Sequence, residues 1–218
     1  MTDRREILRS ALALGAVVTM TSKAIAASAA PVEGVQYKKL GSSAPSRATS
    51  IEVLEFFSYA CPHCFELEPF IEPWVKAQKP DVRFRRVPVP FLASSDNLMH
   101  SYYAFEAMGI VDQMTPLMFA TMNVERKRLD TPESVAALVA KSGADAGKFM
   151  AVVRSFGVNA SVSRARGLLG DYGVDSTPTL IVQGVFETSP ALAGGRQEAL
   201  NVTEFLIDSI RHVQQLPK

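Results

Sequence analysis

Two cysteines stand three positions apart in the segment Cys61-Pro62-His63-Cys64, and the chain contains no others. A thiolate, rather than a thiol, is the species that attacks a disulfide bond. When the first cysteine of such a pair lies at a helix N-terminus, unpaired backbone N–H groups and the helix dipole favour its charged form. The second cysteine, one turn later, can resolve a mixed disulfide. The spacing therefore predicts thiol–disulfide chemistry, with Cys61 attacking and Cys64 resolving.

The two residues between the cysteines suit the same chemistry. A protonated or hydrogen-bonding His63 imidazole beside a thiolate would stabilise the negative charge. Pro62 restrains the turn and matches the preference for proline in a first helical turn. Whatever stabilises the thiolate makes the disulfide easier to reduce, so a low pKa of Cys61 would make the protein an oxidant.

Two other uses of the cysteines are weaker. A structural disulfide is disfavoured because cysteines three positions apart close a very small loop and constrain the unfolded chain little. A metal site built from Cys61, Cys64 and His63 would lack the fourth ligand of a closed zinc site, since His100 and His212 are far away in sequence. We therefore expect no metal and no cofactor beyond the redox-active cysteine pair.

The composition is that of an ordinary globular protein. The chain has 218 residues, is 47% hydrophobic and carries a formal net charge of +1. This length predicts one domain, or one domain with a sizeable insertion. The charge does not indicate a nucleic-acid-binding face. Two cysteines are too few for a disulfide-stapled secreted scaffold, so the fold must depend on its hydrophobic core.

Residues 1–29 have the pattern of a cleaved export signal, with cleavage expected near residue 26 or 29. Arg4, Arg5 and Arg9 precede an apolar run over residues 11–18, and small residues follow. The run is too short for a bilayer span, which needs about 20 residues. The Arg4-Arg5 pair resembles a twin-arginine signal, and a general secretory signal stays open. Export predicts a compartment where disulfides persist, such as a bacterial periplasm.

Hydrophobic periodicity predicts a strand, a helix and a strand around the cysteines. The strands cover Ile51–Ser58 and Val82–Val89, and the helix Phe65–Gln78 should bend at Pro69 and Pro73. Thr131 followed by Pro132 marks a helix start. The remaining elements expected are a short strand at Val35–Leu40, helices at Asn97–Met108, Val111–Met122, Val135–Lys141, Asp145–Phe156 and Ala160–Tyr172, strands at Pro178–Gln183 and Val185–Glu187, and a closing helix at Val202–Gln215.

This order of elements predicts an α/β protein with a thioredoxin-like fold and an inserted helical domain. After the signal at residues 1–29, the first part of the thioredoxin-like domain is expected at residues 35–91. The helical insertion is expected at residues 92–158, and the second part of the thioredoxin-like domain at residues 159–216.

Over residues 35–216 the sequence resembles the DsbA family of periplasmic thiol–disulfide oxidases. The resemblance is carried by the run Leu54–Cys64, by the helical block and by the run Gly173–Thr179. It implies that Cys61 is the exposed nucleophile and that Cys64 is its buried partner. It also implies that Pro178 is cis and packs beside the disulfide. Thr177 would then offer backbone groups to an extended substrate peptide, although Thr177-Pro178 alone would be a plain strand start.

Glu55 is unusual because an acid in an otherwise apolar strand is costly to bury without a role. The family resemblance implies a buried carboxylate that helps to move protons near the cysteines, and a solvated Glu55 is the alternative. Arg86 is a candidate partner for this carboxylate. Equally, Arg83, Arg85 and Arg86 could form a solvated strand face.

The function expected is donation of disulfide bonds to newly exported proteins that carry reduced cysteines. By resemblance, a DsbB-like membrane protein would reoxidise the cysteine pair, and the protein would act as a monomer without nucleic acid. Two alternatives stay open. A disulfide isomerase or reductase of the DsbC/DsbG type would need a dimerisation domain, for which the roughly 20 residues before the first core strand are too few. A non-enzymatic peptide-binding chaperone module would leave the dithiol incidental.

Overall fold

The protein was studied as a computed structural model that describes residues 30–41, 50–92 and 95–215. The predicted export signal and its cleavage site lie outside these ranges. Within them, no helix is both long and apolar enough to cross a membrane.

The strands are β1 Lys38–Lys39, β2 Ile51–Phe57, β3 Val82–Pro88, β4 Thr179–Val182 and β5 Phe186–Thr188. The helices are α1 Pro62–Lys76, α2 Ser95–Met108, α3 Val111–Phe119, α4 Pro132–Lys141, α5 Ala146–Val152, α6 Phe156–Tyr172, α7 Pro190–Ala193 and α8 Arg196–Gln215, and a π-helical turn, Ala120–Val124, follows α3.

The strands form one mixed sheet in the order β1-β5-β4-β2-β3. Strand β2 pairs parallel with β3 and antiparallel with β4, and β4 pairs antiparallel with β5. The inner strand β2, which lies between β4 and β3, is almost wholly buried, which explains why its sequence is apolar apart from Glu52 and Glu55. The chain thus forms a strand–helix–strand unit, then a helical block, and then a closing hairpin with a helix. This α/β arrangement confirms the predicted fold class.

Alternate residues of β2 face two separate hydrophobic cores, as the period of a strand requires. Ile51 and Val53 pack against one core, to which α1 and α8 contribute. Leu54 and Phe56 pack against the other core, which is filled by the helical block. The predicted boundary between residues 158 and 159 falls inside α6, whose buried residues belong to this second core. The sheet is thus covered on both faces, and the cysteine segment sits where β2 ends.

Local chemistry explains several element ends. The Thr131 side chain accepts a hydrogen bond from the Ser134 N–H at 3.3 Å, which confirms the predicted cap of α4. Gly173 ends α6 with a φ of 64°, a conformation that glycine adopts without steric cost. The hairpin turn between β4 and β5 places Gln183 and Gly184 at positive φ, as a tight hairpin of this kind requires.

Some predicted boundaries were wrong. Helix α1 begins at Pro62 rather than Phe65, because proline is readily accepted at a first helical position. The helix is continuous through Pro69 and Pro73, and the bend at these residues stays a prediction. Helix α8 begins at Arg196, six residues before the predicted start, since its first turn is polar. Helix α7 was missed because four residues show no periodicity; the Ser189 side chain caps it.

The helical core provides a stability test with a matched pair of phenylalanines. Phe149 is fully buried and stacks against Phe105 with ring centroids 5.5 Å apart, whereas Phe156 is 89% exposed. We expect Phe149→Ala to lower the free energy of unfolding by about 3–5 kcal/mol, because it leaves a cavity. Phe156→Ala should change it by no more than about 0.5 kcal/mol. Urea denaturation followed by circular dichroism measures both, and equal losses would contradict the core assignment.

Candidate active site

Cys61 is the residue that precedes the first turn of α1, and Pro62 is the first residue of the helix. The chain leaves β2 at Phe57 and makes a tight turn in which the Cys61 N–H donates to the Ser58 carbonyl at 3.0 Å. This turn points the Cys61 sulfur at the unpaired N–H groups of the helix start, where a negative charge is favoured. The sequence prediction that Cys61 lies between a strand and a helix N-terminus is confirmed.

The surroundings of Cys61 lower the pKa of its thiol to about 5. The largest cause is a hydrogen bond from the Cys64 thiol; burial opposes it, and further donors are the Thr177 side chain and the backbone N–H groups of Cys64 and His63. When protonated, the Cys61 thiol donates to the Thr177 carbonyl at 3.5 Å. Both cysteines are free thiols here, so the structure describes the reduced protein. At neutral pH Cys61 is therefore a thiolate.

Cys64 has the opposite character. It is fully buried, and burial raises its thiol pKa far above the ordinary range. The hydrogen bond that it gives to Cys61 and the nearby charge of Glu55 act in the same direction. The two thiols are thus unequal, one charged and one protonated.

Cys61 is itself only 5% exposed, so the expectation of an exposed nucleophile was wrong. The turn before α1 and the Thr177 loop enclose it.

The His63 imidazole points into solvent, and its Nδ1 lies 3.2 Å from Glu66 Oε2. Glu66 in turn pairs with Arg196 at the start of α8. His63 acts on Cys61 through its backbone N–H. A direct role of the imidazole in stabilising the thiolate stays a prediction.

The loop before β4 closes the other side of the cysteines. The peptide bond between Thr177 and Pro178 is cis, as the family resemblance implied. Beside this loop lies an open cavity of about 330 Å³. Its lining includes His63, Ser176, Thr177, Pro178, Pro190 and Arg196. The structure therefore brings His63, Thr177 and Pro178 together at one opening next to Cys61.

Glu55 is completely buried in β2 and pairs with Arg86 of β3, whose Nε lies 2.9 Å from Glu55 Oε2. This contact confirms Arg86 as its partner and excludes a solvated Glu55. Burial raises the pKa of Glu55, and Arg86 opposes that rise. Its second oxygen, Oε1, has no hydrogen-bond partner among the described residues. Glu55 is therefore a buried acid with one carboxylate oxygen that can accept a proton.

Arg86 also holds two acids of α1 that the sequence analysis missed. Its Nη2 lies 2.9 Å from Glu68 Oε2 and 3.4 Å from Glu72 Oε1. Burial raises the pKa of Glu68 to about 7. Helical spacing could have found Glu68, because it lies four residues after Cys64 and hence on the same face of α1. In the described part of the chain, no group of three or more His, Cys, Asp or Glu side chains is arranged to hold a metal.

Comparisons with known proteins agree with this geometry. A family model described as a DSBA-like thioredoxin domain matches residues 52–200. The chain is 40% identical over 190 residues to the thiol:disulfide interchange protein DsbA of Burkholderia cepacia, covering 85% of this chain and 89% of that protein. It is 33% identical over 209 residues to the protein of the same name from Pseudomonas aeruginosa, covering 95% and 97%. The crystal structure of Pseudomonas aeruginosa DsbA superposes with a TM-score of 0.81 at 32% identity, covering 85% of this chain and 97% of that one.

The pH dependence of Cys61 alkylation tests the unequal thiols. In the reduced protein, the rate of reaction with iodoacetamide should rise with a midpoint near pH 5, because only the thiolate reacts. Mass spectrometry should place the label on Cys61. Cys64→Ala removes the largest stabilising hydrogen bond and should move the midpoint upward. A midpoint in the wild-type protein close to the ordinary cysteine value of about 8.5 would contradict the assigned site.

Two neighbouring arginines of β3 test the buried charge cluster. Arg86→Met leaves the buried carboxylates without their positively charged partner. It should lower the free energy of unfolding at pH 8 by about 3–5 kcal/mol. Arg86 lowers the pKa of Glu55 and Glu68, so its removal raises both further. An acid whose folded pKa is raised loses stability as the pH rises, so the loss should be smaller at pH 4.5.

Arg85→Met is the matched control. Arg85 is exposed and pairs with Glu52 at 2.9 Å, so its replacement should lower the free energy of unfolding by no more than about 1 kcal/mol at either pH. Urea unfolding at the two pH values measures all three proteins. A loss for Arg86→Met that does not change with pH would contradict the assigned origin of the raised pKa values.

Proposed function

Because this chain belongs to the DsbA family and is a thiol–disulfide oxidoreductase, we propose that it donates disulfide bonds to newly exported proteins. The observation that carries the proposal is the inequality of the two thiols. A Cys61 thiol with a pKa of about 5 stabilises the reduced protein as a thiolate at neutral pH. Stabilising the reduced form raises the reduction potential, so the oxidised protein readily gives its disulfide away.

The reaction runs through Cys61. A substrate thiolate attacks the Cys61 sulfur of the Cys61–Cys64 disulfide, the bond between the two cysteines breaks, and Cys64 leaves and takes up a proton. The substrate is then joined to Cys61 by a mixed disulfide. A second substrate thiolate attacks the substrate sulfur and releases Cys61 as a thiolate, and its low pKa makes it a good leaving group. The substrate loses two electrons and two protons, and the protein is left reduced.

Glu55 is proposed to handle the proton of Cys64. The leaving sulfur of Cys64 is buried and strongly disfavours a negative charge. Glu55 is buried nearby, has a raised pKa and keeps one oxygen without a hydrogen-bond partner in the described structure. A protonated Glu55 can therefore supply the proton, directly or through water, and be reprotonated through the acids around Arg86.

Substrate binding is proposed at the opening beside Thr177 and Pro178. The Thr177 backbone would pair with an extended stretch of an unfolded chain, which gives contact without demanding a particular sequence. His63 lines the same opening. A reaction that serves many substrates suits recognition by backbone groups.

The proposed setting is the bacterial periplasm, reached by the predicted signal at residues 1–29. There a DsbB-like, quinone-linked membrane protein would reoxidise the pair, and the protein would act as a monomer with no cofactor besides its cysteines. An isomerase or reductase of the DsbC/DsbG type and an incidental dithiol are not favoured by the family assignment.

Equilibration with glutathione redox buffers tests the direction of the chemistry. We expect a reduction potential nearer to about −120 mV, the value of a well-studied DsbA, than to the value of about −270 mV of thioredoxin. The potential should also become less sensitive to pH between 5 and 9 than that of an ordinary dithiol, because one thiol is already ionised there. A potential as low as that of thioredoxin would overturn the proposal.

A further inference from the structure

Tyr59, two residues before Cys61, is held at three points by one face of the helical block. Its hydroxyl lies 3.1 Å from the Thr115 hydroxyl, and its ring packs edge-on against Phe119 with centroids 5.2 Å apart. Its backbone carbonyl accepts a hydrogen bond from Asn123 Nδ2 at 2.9 Å. The three partners are spaced four residues apart and so share a face of α3 and the π-helical turn that follows it.

Asn123 belongs to the π-helical turn Ala120–Val124, where the Glu125 N–H bonds the Ala120 carbonyl five residues back. Its second hydrogen bond goes to the Phe119 carbonyl at 3.0 Å. One amide group thus ties the end of α3 to the segment before Cys61. Turns of this width are uncommon and are often found at functional sites.

The peptide carbonyl that Asn123 holds is part of the turn that sets both sulfurs. In this turn the Cys61 N–H bonds the Ser58 carbonyl at 3.0 Å, and the Ala60 N–H bonds the Ser58 hydroxyl at 3.2 Å. The Ser58 backbone N–H donates to the Cys64 sulfur. A shift of the turn would therefore move Cys61 relative to its donors and change the contacts of Cys64.

We propose that Asn123 is a positioning residue for the redox pair, which fixes the turn before Cys61 through the Tyr59 carbonyl. Asn123 does not touch the reacting sulfurs. Loss of its two hydrogen bonds would allow the turn to move, and the N–H groups at the start of α1 would then align less well with a thiolate. The reduced form would lose more stability than the oxidised form, because only the reduced form carries that charge.

This reasoning separates a positioning role from a merely structural one. A residue that only supports the fold stabilises the oxidised and reduced proteins equally, and its removal leaves the redox equilibrium unchanged. A positioning residue stabilises the two forms unequally. The equilibrium constant with glutathione measures that inequality and does not depend on stability that the two forms share.

Asn97 provides a matched control in the same helical block. Its Nδ2 donates to the Leu129 carbonyl at 2.8 Å, the same kind of bond from the same kind of side chain to a loop. Wild type, Asn123→Ala and Asn97→Ala should be compared for urea unfolding in both redox states, for the pH midpoint of Cys61 alkylation, and for equilibration with glutathione. Asn123→Asp, which keeps the shape and loses both N–H donors, replaces Asn123→Ala if the latter does not fold.

The expected result is that Asn123→Ala makes the protein less oxidising by about two- to tenfold in the glutathione equilibrium, the range that one or two hydrogen bonds can supply. The alkylation midpoint should rise in parallel. Asn97→Ala should lower stability in both redox states and leave the equilibrium and the midpoint unchanged. An unchanged equilibrium in Asn123→Ala, or an equal shift in both variants, would overturn the proposal.

The inference rests on thiol–disulfide chemistry at Cys61, and its failure can be told from failure of the proposed function. If the wild-type protein equilibrates like thioredoxin, disulfide donation is wrong, whereas the difference between the two asparagine variants still tests the positioning role. If wild type is strongly oxidising and Asn123→Ala is equally so, only the positioning role is wrong.

Discussion

The site must keep a thiolate stable at Cys61 while the thiol of Cys64 stays protonated. The first need is met by the start of α1, where N–H groups have no helical partners and the dipole favours negative charge. The second is met because the first turn of the same helix lies inside the protein, where Cys64 is fully buried. Both depend on β2, because this buried inner strand ends just before α1 and so fixes where the helix begins and how deep its first turn lies.

The acids around Arg86 are costly to bury, and the proposed proton transfer gives them a role. Three carboxylates, Glu55, Glu68 and Glu72, approach a single guanidinium that also packs against two aromatic rings. Arg86 offsets the burial of Glu55 and Glu68 only in part, so burial raises the pKa of Glu55 and brings that of Glu68 to about 7. An apolar cluster of equal volume would be no less stable. In the proposed mechanism, Glu55 supplies the proton that the buried Cys64 sulfur takes up.

Local features were predictable from the sequence, and contacts between distant segments were not. The apolar run of β2, the Thr131 cap and the place of Cys61 between a strand and a helix each follow from neighbouring residues, although the helix begins at Pro62 and not at the predicted Phe65. Arg86 was left open between a buried and a solvated position, although strand alternation separates it from the exposed Arg83 and Arg85. The π-helical turn gives no periodic signal distinct from an α-helix, so the contact between Asn123 and Tyr59 could not be found before the fold was known.

Three segments far apart in sequence surround Cys61, and each controls a different property. The start of α1 stabilises the charge, and the loop at Thr177 and Pro178 forms the opening. The helical block sets the turn through Tyr59. Cys61 is only 5% exposed, and in the proposed function a substrate thiolate reaches it from that opening. In the proposed function, binding of the substrate backbone at the Thr177 loop accompanies attack, and this would favour unfolded chains, which can offer an extended segment together with a free thiol.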